Sequence, residues 1–224
     1  VSEINFDLQG CLQRNGMSSF AYLEKMGVLD GPVIAAHCVW FNDEDIEIFR
    51  KHGATVAHNP VSNLKLASGI APIRKMLKGD VKVALGTDGV ASNNNLNLWE
   101  EIKLMPLLQK GASLDPTVVS PAQTLAAATV VGARAMGYDD LGLLKPGYRA
   151  DLILVDLQTP QMIPCTDLES NLIYAAQGSD VRLTMVDGKV LYRDGQFTTL
   201  KPAELLRQAQ DDAVEMRRRL QAQS

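Results

Sequence analysis

The chain has 224 residues, of which 46% are hydrophobic and 21% charged, with a formal net charge of −4; this is ordinary globular composition, long enough for one large domain or two smaller ones. The acidic balance excludes a nucleic-acid surface, because the one basic run, Arg217-Arg218-Arg219, lies in a charged terminal helix and reads as a solvated face. No apolar stretch reaches the roughly 18 residues of a membrane span, the polar first residues do not read as a secretory signal, and three cysteines without a CxxC pair suit free thiols in a reducing cytoplasm.

The spacing of Phe20, Leu23 and Met26 predicts a helix over 5–28, with Ser18 or Ser19 as a cap. Val33 to Ala36 is a short apolar run that ends at His37. Runs of this kind suit strands buried on both faces of a parallel sheet. The segment from Asn42 to Gly53 predicts a second helix with an acidic start, Ile46, Ile48 and Phe49 inward, and a glycine stop. Ala54 to Ala57 is the next strand and ends at His58; a loop over 59–69 and a helix near 71–79 follow. Val81 to Leu85 is the third strand and ends near Thr87-Asp88.

Strand, polar residue, loop and helix thus recur three times. Short parallel strands joined by helices wind right-handed. Leu96 to Gln109 predicts another helix, and Ser120-Pro121 opens a further one with Leu125, Ala128, Ala133 and Met136 packed inward. After Gly137 the pattern changes to alternating apolar segments broken by Pro-Gly and Asp-Gly turns, which is antiparallel material. The last helix places Leu205, Leu206, Ala209, Ala213, Met216 and Leu220 on one stripe, expected to dock on the body of the protein.

The expected organisation is α/β: residues 1–140 as part of a (β/α)8 barrel, 141–200 as part of a small β-sandwich, and 201–224 as the docking helix. A full barrel takes about 250 residues, and three strands alone leave open edges, so the chain reads as the C-terminal part of a longer protein or as one completed by another chain.

The polar residues at the three strand ends carry the chemistry, because that rim is where a barrel builds its active site. Asp88 could bind a divalent metal and take a proton from its water; Asp-Gly is also turn chemistry, so a turn or cap role stands beside this one. His37 could hydrogen-bond the reacting water, or be a satisfied buried histidine. His58 has the same placement without a following carboxylate, and His52 reads as a charge partner at a helix C-terminus. Glu3, in Val1-Ser2-Glu3, would end a preceding strand and could shuttle protons near the metal. Asn63 and Lys65 could shape the mouth of the site or simply hold their loop. Trp40 could stack on a purine or pack at the rim.

His37-Cys38-Val39-Trp40, the segment AHNPVSNLKLASGIAP, the segment LGTDGVASNNNLNLWEEIKL and the segment GLLKPGYRADLILVD together resemble the amidohydrolase superfamily. Within it they are most similar to the 5-methylthioadenosine/S-adenosylhomocysteine deaminases and the related triazine chlorohydrolases. The resemblance implies a metal-dependent barrel with one divalent metal, zinc by preference and iron(II) as the alternative. It makes Asp88 the metal-binding aspartate of the eighth strand and His37 the histidine that meets the reacting water at the end of the sixth. Val1-Ser2-Glu3 matches the last three positions of the fifth-strand His-x-x-Glu motif, which makes Glu3 the proton-shuttling carboxylate. The HxH pair of the first strand does not occur here, and the fifth-strand histidine would precede Val1.

The implied reaction is hydrolytic deamination of an adenine nucleoside, active only with the remaining half of the barrel. Chlorohydrolysis of a triazine, or deamination of another ring such as guanine, would use the same parts. A non-catalytic truncated barrel is the competing reading. The partner implied is a small purine nucleoside, with neither nucleic acid nor membrane, and a homo-oligomer is left open.

Overall fold

The computed structural model describes residues 2–222. Val1, which falls on the second position of the expected fifth-strand motif, lies outside the described residues. Contacts divide the chain into two units: one runs to Tyr148 and adds Leu157–Asp180, and the other holds Arg149–Asp156 and the chain from Val181.

The first unit opens with α1 (Asn5–Asn15) and α2 (Ser19–Lys25) in place of the single helix expected over 5–28. Gly16 takes a left-handed φ of 69° and ends α1. Ser18 then restarts the chain as N-cap, its hydroxyl accepting from the Ala21 N–H. Of the predicted stripe Phe20 is buried, but Met26 is exposed.

Next come β1 (Ile34–Ala36), α3 (Asp43–His52), β2 (Thr55–His58), α4 (Pro60–Lys65), α5 (Ile73–Lys78) and β3 (Lys82–Leu85). α3 is bounded by local chemistry: Asn42 and Asp45 form a reciprocal capping box, and Gly53 closes the helix with φ 63°. α4 occupies the segment expected to be a loop. Proline at its first position has the φ a helix needs and lacks only an N–H that would be unpaired there.

β1, β2 and β3 form a three-stranded parallel sheet in that order, with Ala35 opposite Val56 and Val56 opposite Val83. The core lies between this sheet and its helices. Phe20, Phe41 and Phe49 meet edge-to-face with centroids 4.7–4.8 Å apart, an arrangement that adds roughly 0.5–1.5 kcal/mol per pair beyond area burial. Val56, Ile73, Met76, Val83 and Met105 complete the cluster.

α6 (Val90–Asn93) and α7 (Leu98–Ser113) follow. The helix expected from Ser120 is two helices, α8 (Pro121–Ala128) and α9 (Val130–Ala135), separated at Thr129 with φ −133° and ψ −95°. Ser120 caps α8 as expected, in a box with Gln123. Of the predicted inward residues Ala133 is buried, Leu125 and Ala128 are half-buried and Met136 is exposed, while Thr124 and Ala127 are buried instead.

Residues Leu157–Asp180, expected within the β region, belong to the first unit. They carry α10 (Leu168–Tyr174). Met162 and Ile173 are fully buried, and the Trp99 indole N–H of α7 donates to the Leu172 carbonyl at 2.9 Å.

The second unit is a four-stranded antiparallel sheet of β4 (Leu152–Val155), β5 (Val181–Val186), β6 (Lys189–Arg193) and β7 (Gln196–Phe197), in that order, followed by α11 (Pro202–Gln221). The sheet is closed locally by the Asp187-Gly188 and Asp194-Gly195 turns, all four residues with positive φ. α11 buries none of its residues. Leu206, Val214, Met216 and Leu220 of α11 are exposed.

Candidate active site

His37 follows β1, His58 ends β2 and Asp88 follows β3, so all three stand at the carboxyl edge of one parallel sheet. His37 and Asp88 both hold left-handed backbone, with φ 70° and 60°. Such conformations cost non-glycine residues of order 1 kcal/mol or more, and they cluster where a side chain must be aimed. Beside β3, a Cβ on Gly86 would lie 2.6 Å from Asn59 Oδ1, so only glycine lets Asn59 approach the strand end.

Glu3, His37 and Asp88 converge. His37 Nε2 is 3.7 Å from Glu3 Oε2 and 3.9 Å from Asp88 Oδ2. The side chains of both carboxylates are about 30% exposed, at 30% and 29%, and that of His37 is 12% exposed, so the space between them is open to solvent. Each member is held from behind. Asn63 Oδ1 lies 2.9 Å from His37 Nδ1. This contact orients the ring so that Nε2 faces the two carboxylates. The Ser62 hydroxyl donates to Asp88 Oδ2 at 2.7 Å, and the Gly89 N–H donates to Oδ1 at 2.7 Å. The Ser62 hydroxyl, chiefly, and the Gly89 N–H hold the Asp88 carboxyl below its ordinary range. Glu3 Oε1 accepts from the Ser68 hydroxyl at 3.2 Å.

The remaining expected contacts fall around this core. Asn63, 1% exposed, is the partner of His37 and not a loop residue at the mouth. Lys65 instead donates to the Ala91 carbonyl at 3.0 Å, which ties α4 to α6. Trp40 donates from its indole N–H to the Ser68 carbonyl at 3.1 Å, and its backbone N–H donates to the Ser2 carbonyl. Its ring is partly exposed, and its polar atom already braces the segment that holds Glu3. His52, at the C-terminal end of α3, lies with Nε2 2.9 Å from Glu24 Oε1.

His58 does not face the open space. It is 1% exposed, and neither ring nitrogen has a hydrogen-bond partner. Burial, reinforced by the nearby His37, pushes its pKa down to about 3, so it is neutral.

Two supporting groups went unread in the sequence. Ser62 looked like one polar residue of a loop, and its contact with Asp88 depends on the parallel pairing of β2 with β3, which sets α4 beside the end of β3. Glu101, beside Glu100 in Trp99-Glu100-Glu101, was not singled out, yet it is fully buried while Glu100 is exposed. Helical phase was the available signal: Ile102, Met105 and Gln109 are buried on the same helix as Glu101.

A metal was expected here. Among the described residues no group of three or more His, Cys, Asp or Glu side chains is placed to hold one. Asp88 is an anionic oxygen donor of the kind divalent metals take, so this chain fits such a group as a contributor and does not enclose it.

The sequence matches the amidohydrolase family over residues 10–191. The chain belongs to the amidohydrolase family. It is 47% identical to a 5'-deoxyadenosine deaminase of Methanosarcina mazei over 216 residues, which is 96% of this chain and 50% of that protein. It is 44% identical to a 5-methylthioadenosine/S-adenosylhomocysteine deaminase of Dictyoglomus thermophilum, covering 96% of this chain and 51% of that one. This amidohydrolase chain therefore spans about half the length of the curated relatives it matches.

Among solved structures it superposes on an adenosine deaminase from Xanthomonas campestris with bound zinc, with a TM-score of 0.93 at 33% identity, covering 97% of this chain and 50% of that one. It also superposes on the atrazine chlorohydrolase of Arthrobacter aurescens complexed with zinc, with a TM-score of 0.85 at 28% identity, over 92% of this chain and 46% of that one. These likenesses carry the amidohydrolase fold and the mixed α/β class expected from the sequence.

Proposed function

We propose that this chain supplies one half of the active site of a hydrolytic deaminase whose substrate is an adenine nucleoside, of the 5'-deoxyadenosine, 5-methylthioadenosine or S-adenosylhomocysteine kind. The observation that carries the reading is the pair of carboxylates, Glu3 and Asp88, flanking His37 Nε2 at 3.7 and 3.9 Å. The names of the relatives at 44–47% identity support the substrate class. In this reading β1, β2 and β3 are three consecutive strands of a (β/α)8 barrel, and the second unit is part of a small β-sandwich.

A divalent metal, zinc by preference, would be held in part by Asp88 and would acidify a water molecule toward neutral pH. Asp88, kept anionic by Ser62 and Gly89, accepts a proton from the attacking water. His37, through Nε2, hydrogen-bonds the same water and directs its oxygen at C6. Glu3 donates a proton to the ring nitrogen beside that carbon, which makes the carbon electrophilic. The C–O bond forms; Asp88 then passes the proton it took from water to the amino group, the C–N bond breaks, the proton of the new hydroxyl returns to Glu3, and ammonia leaves with an inosine-type product.

The test is an ammonia assay on the complete gene product, with S-adenosylhomocysteine, 5-methylthioadenosine and 5'-deoxyadenosine as substrates and atrazine as the comparison. Ammonia from at least one nucleoside supports the proposal. Chloride from atrazine without ammonia from any nucleoside replaces it with the chlorohydrolase reading.

A further inference from the structure

Glu101 is a buried acid with no part in the proton transfers above. Its two oxygens are both committed. Oε2 accepts the Val61 N–H at 3.0 Å, and Oε1 accepts Asn93 Nδ2 at 2.6 Å. The same Asn93 amide donates its second hydrogen to the Thr87 carbonyl, also at 2.6 Å.

These contacts lead to the site along two branches. Val61 is the second residue of α4, whose N-cap Asn59 makes no side-chain cap bond, so Glu101 satisfies a donor that the helix start leaves unpaired. The next two residues are Ser62 and Asn63, which hold Asp88 and His37. On the other branch Thr87 precedes Asp88 directly, and Asp88 is kept in a left-handed conformation. A charged acid in the interior is costly unless it is paired or hydrogen-bonded. Burial pushes the Glu101 carboxyl upward, and its two N–H donors pull it back. An amide would not substitute. A glutamine side chain in this place would offer one acceptor to two donors, and turning the Asn93 amide to meet it would set its oxygen against the Thr87 carbonyl.

We propose that Glu101 is a positioning residue, a buried brace from α7 that sets the spacing of His37 and Asp88 by fixing the start of α4 and the Thr87 carbonyl together. The catalytic consequence rests on the deaminase reading; the brace itself does not.

The experiment uses the complete gene product with Glu101→Gln, Ser62→Ala and the double variant. Kinetics on the preferred nucleoside are expected to give about a tenfold to hundredfold loss of kcat in each single variant with KM changed less than about threefold, as for supports of a reacting group. The double variant is expected to lose no more than the worse single one, because both act along one chain of contacts. Hydrogen exchange is read in parallel. The Val61 and Gly89 amides are expected to exchange at least about tenfold faster in E101Q, with the middle of α7 unchanged.

A kcat within twofold of the parent, losses that multiply in the double variant, or unchanged exchange at both amides would each overturn the proposal. If E101Q does not fold, Asn93→Ala takes its place. It removes the donor shared by Thr87 and Glu101, and a parental kcat in that variant also overturns the proposal. If the parent itself releases no ammonia from any nucleoside, the deaminase reading falls, and exchange at Val61 and Gly89 alone decides the brace.

Discussion

At the scale of single residues, Glu3 and Asp88 each come within 4 Å of His37 Nε2 although the three lie at positions 3, 37 and 88. Their roles separate by substitution. Glu3→Gln is expected to lower kcat of the complete protein by about 10²- to 10⁴-fold, the usual worth of a positioned proton donor, and to leave metal content unchanged. Asp88→Asn is expected to lower activity at least as far and to reduce bound metal as well, read by elemental analysis. Equal metal in both variants would refute the ligand role for Asp88.

His58 predicts a pH dependence of stability that has nothing to do with catalysis. Its folded pKa of about 3 lies below the ordinary histidine value of 6.5. Below pH 6.5 the unfolded chain takes up a proton that the buried ring refuses. The associated stability is therefore complete above pH 6.5 and is lost as pH falls toward 3. The full effect is on the order of 5 kcal/mol, of which about 2 kcal/mol is gone by pH 5. Urea unfolding at pH 7.5 and pH 5 should show that fall in the parent and a smaller one in His58→Leu. Identical pH slopes in the two proteins would argue that His58 is charged or solvated in the folded state.

At the scale of elements, starts and stops were readable wherever the controlling contact is local. The Ser120 cap, the Pro121 start, the acidic start of α3 and its Gly53 stop all lie within one or two helical turns of what they control. The break between α1 and α2 was also written locally, in Gly16 and Ser18, but the apolar spacing around it masked the signal. α4 was missed because a six-residue helix has too few positions for a periodic stripe, and its start is satisfied by Glu101, forty positions away. Ser18 caps α2, one of the two caps the sequence offered, and does a second job that only the fold reveals: its hydroxyl also donates to the buried Asp45 of the α3 capping box. Ser18→Ala is expected to cost about 1–3 kcal/mol, more than a lone cap, because a buried carboxylate loses a partner as well. A cost under about 0.5 kcal/mol in denaturant unfolding would mean that water replaces the hydroxyl freely.

At the scale of the whole molecule, the parallel sheet has β1 and β3 as edges among the described residues, with Ile34 48% exposed on β1. α11 presents Leu206 and Met216 at 71% and 63% exposure. Unpaired strand edges and contiguous apolar faces seek partners. The chain prepared without any other is expected to bind a hydrophobic dye and to elute ahead of a monomer on gel filtration. A monomer that leaves the dye dark would show that these surfaces are tolerated in water.

The βα rhythm, the antiparallel C-terminal strands and the polar residues at strand ends were all legible in the sequence, because hydrophobic period, turn residues and caps act over a few positions. The amidohydrolase resemblance was legible for the same reason, since it rests on contiguous segments. The boundary of the second unit was not, because Leu157–Asp180 joins the first unit through the burial of Met162 and Ile173 and the Trp99–Leu172 hydrogen bond, across more than fifty residues. The fate of the three histidines was decided only in three dimensions. His37, His52 and His58 all end short elements, yet one meets two carboxylates, one pairs with Glu24 and one is sealed without a partner. Local sequence sets where an element ends; which neighbours enclose that end, and whether water reaches it, is a property of packing between segments far apart in the chain.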